Sequence, residues 1–162
     1  MGFARLGRHR MRAYYLPFAA GALLIVSAFL PSVIIGGTGV GGLPAASALW
    51  ILALGIAAMI LAALSVITRR NSRHPLLVVG LVALAIEFLA WQWMQRSVAE
   101  QAWASAQAAA IVAGGRAAAV GPPSAGAGIY LGIAAATVII LFGLTIVFKQ
   151  VSRPYAPPED DV

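Results

Sequence analysis

The chain has 162 residues, of which 61% are hydrophobic and 10% are charged. Soluble domains of this size carry about 25% charged and about 45–50% apolar residues, so a single water-soluble core is excluded and the chain falls in the membrane class. Its formal net charge of +6 is not a nucleic-acid footprint. The basic residues are split among short segments that flank apolar runs, whereas a nucleic-acid binder gathers them on one soluble face.

The leader, residues 1–13, carries Arg5, Arg8, Arg10 and Arg12. It is expected to contact anionic headgroups, at about 1 kcal/mol per basic residue, and to act as a topology signal. The first span is read at about 14–35. Its apolar run exceeds the roughly 7–15 residues of a signal peptide, and no small-x-small cleavage site ends it. It is therefore expected to be retained.

No charged side chain lies between Arg12 and Arg69. A helix needs about 20 apolar residues to cross the hydrocarbon core, so this stretch must hold two spans. The glycine-rich break Gly36–Gly42 divides it, and the second span is read at about 47–68. The Gly36–Gly42 segment has the glycine content of a phosphate loop, but such a loop requires a preceding strand and a following lysine; here the flanks read as membrane helices, and no lysine follows. A flexible or tight outer turn is the simpler reading.

A short basic loop, Arg69–His74, implies a helical hairpin between spans two and three. The third span is read at about 75–94 and contains Glu87, the only acid inside an apolar span. An ionised side chain at a helix centre costs about 2.5–3.5 kcal/mol, and ten strongly apolar residues return about 3–6. The span inserts with little to spare. Glu87 should therefore face protein or water, or hold its proton. Helical spacing puts Gly80, Ala83, Glu87 and Trp91 on one face. Small residues there would let another helix approach, with Ser27, Thr137 or a main-chain carbonyl as hydrogen-bond partner. The structural reading is an interhelical packing contact. The functional reading is a site for a proton or cation.

The outer loop 95–127 is the longest connection. Its alanine-rich part, Arg96–Ala113, is expected to extend the third helix past the membrane. Gly114 and Gly115 should stop that helix. The fourth span is read at about 129–148. Gly128, Gly132 and Ala136 recur every four residues, with Gly143 further along, and such a ribbon permits close helix contact in lipid. Span two has a weaker series in Ala53, Ala57, Ala58 and Ala62. The cytoplasmic tail, 149–162, contains three prolines and three acids.

Orientation follows from arginine and lysine placement. With the N-terminus inside, nine basic residues lie on the inner side (Arg5, Arg8, Arg10, Arg12, Arg69, Arg70, Arg73, Lys149, Arg153). Only Arg96 and Arg116 lie outside. Tyr14 and Tyr15 suit the inner interface, and Trp91, Trp93 and Tyr130 the outer one. The expected fold is thus an all-α integral membrane protein, a bundle of four transmembrane helices with both termini cytoplasmic.

No cysteine is present, and the two histidines, His9 and His74, lie outside the spans. No metal cluster and no activated nucleophile are expected. No cofactor is predicted either, although apolar grooves and main-chain carbonyls can hold a lipid or pigment without leaving a motif. Arginine outnumbers lysine ten to one, which fits a GC-rich bacterial source.

The expected function is that of a non-catalytic subunit, a scaffold or accessory component of a larger bacterial inner-membrane complex. Partner subunits would meet span four and the outer loop, in a hetero- or homo-oligomer. The alternative is a small oligomeric channel or transporter that uses Glu87 for a proton or cation.

Overall fold

The computed structural model describes residues 13–68 and 73–151, with side chains for 13–68 and 73–145. The leader arginines Arg5, Arg8, Arg10 and Arg12 therefore lie outside the described residues, as do Arg69, Arg70 and residues 152–162 of the tail, Arg153 among them.

In chain order the elements are α1 (Tyr15–Ser27), β1 (Val33–Ile35), β2 (Thr38–Val40), α2 (Ala46–Thr68), α3 (Arg73–Ala113), β3 (Ser124–Ala125) and α4 (Ala127–Val151). Three of the helices, α2, α3 and α4, are long and apolar enough to cross a membrane. The protein is thus mostly helical, with a small sheet added.

The first helix is shorter than the apolar run that contains it. It has 13 residues, or about 20 Å at roughly 1.5 Å per residue. After Ser27 the backbone N–H groups of Ala28, Phe29 and Leu30 donate to the carbonyls of Ile25, Val26 and Ser27. These i→i−3 bonds tighten the last turn. Pro31 then cannot continue the helix, because it has no N–H and its ring clashes with the preceding turn.

Beyond Pro31 the chain turns to strand. β1 pairs antiparallel with β2 and with β3, giving the order β2-β1-β3. Gly36 and Gly37, at φ 55° and 81°, form the two-residue turn between β1 and β2. Positive φ at both central residues is the requirement of a type I′ hairpin. The Thr38 hydroxyl donates to the Ile35 carbonyl at 2.7 Å across it. Within the expected Gly36–Gly42 connection, Gly36 and Gly37 are thus the tight turn, and Thr38–Val40 is a strand and not part of the turn. Gly37→Val should cost about 1–2 kcal/mol, since a β-branched residue pays heavily for a left-handed conformation. Gly37→Asn should cost much less. Thermal unfolding of the two variants in one detergent measures the difference, and equal midpoints would contradict the turn assignment.

The sheet ties two distant connections together. The Gly126 N–H donates to the Ser32 carbonyl at 2.8 Å, and the Ser124 hydroxyl donates to the Ile34 carbonyl at 3.3 Å. Val33 and Ile35 turn one face of it onto Val98 of α3, with Trp91 and Met94 alongside, forming a second small core.

Helix α3 runs unbroken for 41 residues, about 60 Å, or roughly twice a 30 Å hydrocarbon core. It joins the expected third span and the alanine-rich extension in one element. Its end is a glycine cap. Gly114 has φ 65°, its N–H donates to Ile111, and the Gly115 N–H donates to Ala110. That pair of bonds is the Schellman arrangement, which satisfies the last carbonyls of the helix.

The helices pack through small residues. α1 meets α2 at Gly21 and Gly55, where a Cβ built on either glycine would come within 3.0 Å of the other's carbonyl oxygen. α3 and α4 run antiparallel in a steady register: Leu77 lies opposite Gly143, Gly80 opposite Ile140, and Glu87 opposite Gly132. α1 packs on α4 as well, and α2 on α3. At one end the Tyr14 ring sits edge-on to Phe142, with centroids 5.0 Å apart. At the other, the Gly128 N–H donates to the Pro31 carbonyl at 3.0 Å. The main core is built from Leu24, Leu76, Ile139 and a set of alanines, including Ala58, Ala83 and Ala136. In lipid the hydrophobic effect does not drive helices together, so close contact must, and glycine and alanine at the crossings provide it.

Candidate functional site

The candidate site is the carboxyl of Glu87 between α3 and α4. Leu76, Gly80, Ala83 and Glu87 form the buried row of α3, spaced at three and four residues as one helical face requires. Trp91 continues that row half-buried. Glu87 itself is 6% exposed. It lies 14 residues along the helix from Arg73, about 21 Å, well within an apolar segment.

Across from it is Gly132 of α4. A Cβ built at Gly132 would overlap the Glu87 carboxylate. Glycine is thus what gives the carboxyl its room. The neighbouring Gly128 faces elsewhere, against the carbonyls of Ser27, Leu30 and Pro31 at the end of α1, and Ala136 is fully buried. Gly143 abuts the backbone of Leu77. The small-residue ribbon of α4 is therefore covered by the chain's own α1 and α3. The face of α4 left open is the one bearing Tyr130, Ala134, Thr137 and Leu141.

The hydroxyls expected as partners for Glu87 are engaged locally. Ser27 donates to the Leu24 carbonyl at 2.7 Å. Thr137 donates to the Ile133 carbonyl at 2.7 Å and is exposed. In the series Ala53, Ala57, Ala58 and Ala62, only Ala58 and Ala62 are buried. The buried row of α2 is Ala48, Ile51, Gly55, Ala58, Ala62 and Ser65. Gly55 is a crossing residue that the alanine series does not single out. It is the sole glycine of α2, as Gly21 is of α1, and that is the signal the sequence carries for it.

A lone carboxyl in such a place can hold a proton, coordinate a cation or accept a hydrogen bond.

A second feature lies on the C-terminal arm of α3. Val98 packs on the sheet, but Trp103, Ile111 and Val112 are 59%, 80% and 89% exposed. No other described element covers the last two turns before Gly114.

The described residues form a mostly helical protein in which three helices are long and apolar enough to span a membrane. No protein-family model matches the chain, and no curated protein or solved structure matches it.

Proposed function

We propose that the protein is a non-catalytic subunit, a scaffold or accessory component, of a larger bacterial inner-membrane complex, crossing the bilayer four times with both termini cytoplasmic. The observation that carries the subunit reading is the outer arm of α3. It extends about 30 Å past the length needed for crossing and presents Trp103, Ile111 and Val112 to solvent. Ile111 and Val112, exposed side by side just before the end of that arm, offer an apolar contact to a partner. The open face of α4, from Tyr130 to Leu141, is a second surface on which a partner helix could lie.

The four-crossing arrangement is supported by helix direction. The start of α1 and the late part of α4 share one end, through Tyr14 and Phe142. The distribution of basic residues favours placing that end inside. α1, which lies within the span read at about 14–35, then forms the first crossing.

Purification in mild detergent tests the subunit reading. Wild type should bring down a fixed set of membrane chains, and Ile111→Glu should release them without lowering expression. A clean monomer from wild type, or an unchanged complex from the variant, would count against it.

A second reading is favoured by the burial of Glu87 against Gly132: a small oligomeric channel or transporter in which the carboxyl handles a proton or cation. Flux into liposomes, with wild type set beside Glu87→Gln, distinguishes the two. Equal and negligible flux sinks the transport reading.

A further inference from the structure

A cavity of about 200 Å³ opens between the start of α1 and the end of α2. Tyr14 and Phe18 form one wall, and Ala62, Ala63, Val66 and Ile67 form the other, with Tyr15 at the rim. Its depth comes from the two alanines, which leave the space that larger residues would fill. Ile67 is the penultimate residue of α2 and Tyr14 immediately precedes α1, so the cavity lies at one end of both helices. Tyrosines at a helix end suit the membrane–water boundary, with rings in the apolar zone and hydroxyls towards the headgroups.

We propose that this groove binds one acyl chain of an anionic phospholipid. The inference rests on the membrane reading and is independent of any partner subunit. Size selects the occupant first. An α-helix with its side chains is about 10–12 Å wide and cannot enter so small a space, whereas a single alkyl chain can. Charge selects the headgroup. The Arg73 guanidinium lies 5.5 Å from the centroid of the Phe142 ring, and Tyr14 sits edge-on to the same ring at 5.0 Å. A positive charge is therefore held one ring away from the groove wall. The sequence reinforces it: the chain has seven arginines and no aspartate or glutamate before Glu87. A lipid seated by its chain in the groove would place its headgroup beside this basic end.

The test uses the full-length protein in detergent, offered dioleoyl phosphatidylglycerol or dioleoyl phosphatidylcholine, with retained lipids counted by native mass spectrometry. Wild type should retain one phosphatidylglycerol with about fivefold preference, the effect of roughly one basic contact near a charged surface. Ala63→Trp should fill the groove and remove that lipid, and Ala63→Leu should weaken its retention if the larger side chain prevents folding. Arg73→Gln should keep a lipid but bind the two kinds equally. Undiminished retention in both Ala63 variants overturns the proposal, as does a wild type without preference. A groove-filled variant that splits a dimer while its lipid count stays constant also overturns it, in favour of a second copy of the chain as occupant. In each of these outcomes the protein remains membrane-extracted, so the membrane reading stands or falls separately.

Discussion

Gly143→Leu should lower the stability of the detergent-solubilised protein by about 3 kcal/mol, the upper part of the range for overpacking a tight contact. A Cβ at this position would lie 2.7 Å from the Leu77 Cβ, 2.8 Å from its Cα and 3.0 Å from its backbone nitrogen. A flexible side chain could rotate away, but a helix backbone cannot. α3 and α4 would have to part along their shared register, which also unseats Gly80 from Ile140 and Glu87 from Gly132. Gly121→Ala provides the control, because a Cβ there meets nothing within 4 Å and the residue has an ordinary φ. Unfolding of both variants in the same detergent reads the difference. A Gly143→Leu midpoint equal to wild type would mean that α3 and α4 do not cross as closely as described.

The contrast between those two glycines shows what a sequence can and cannot reveal here. The long apolar runs of α2, α3 and α4 are legible because crossing hydrocarbon requires about 20 predominantly apolar residues, and a single Glu87 in α3 does not change that. The stop at Gly114 is legible for a related reason: an alanine-rich helix meeting two glycines has only local choices. The end of α1 is less so. Apolar and β-branched residues continue past Ser27 to Ile35, and a hydropathy reading treats a lipid-facing helix and a buried strand alike. Pro31 and the Gly36-Gly37 pair carry the correction, yet β1 is three residues long. It is held by Ser124 and Ala125, some ninety residues away in the chain. No local pattern announces that pairing. The Gly128–Gly132–Ala136 ribbon is readable as a packing face, but the neighbour that each residue meets is not. That needs the register of α3 on α4, where a shift of one turn would put Gly132 opposite a different side chain.

Glu87 and Gly132 should be energetically coupled by about 2 kcal/mol, within the range found for residues in direct contact. Gly132→Ala alone places a methyl group where the carboxylate sits, and the side chain of Glu87 is hemmed in by α4 on that side. In a Glu87→Ala background the same methyl occupies vacated space, and the second substitution should cost little or even recover stability. Glu87→Gln keeps the shape, so Gly132→Ala should remain as harmful there as in wild type. Four unfolding midpoints close the cycle with Glu87→Ala, and additive effects would show that the two residues do not touch. Glu87→Met then addresses why a carboxyl stands there at all. A buried polar group replaced by an apolar one of similar size is often neutral or stabilising. If Glu87→Met raises the midpoint and leaves the co-purifying chains in place, the carboxyl is dispensable for packing and assembly. It would then have to be kept for its chemistry, and the liposome flux of that same variant becomes the deciding measurement. If Glu87→Met lowers the midpoint and releases the partners, the carboxyl belongs to the architecture of α3 on α4, as the scaffold reading requires.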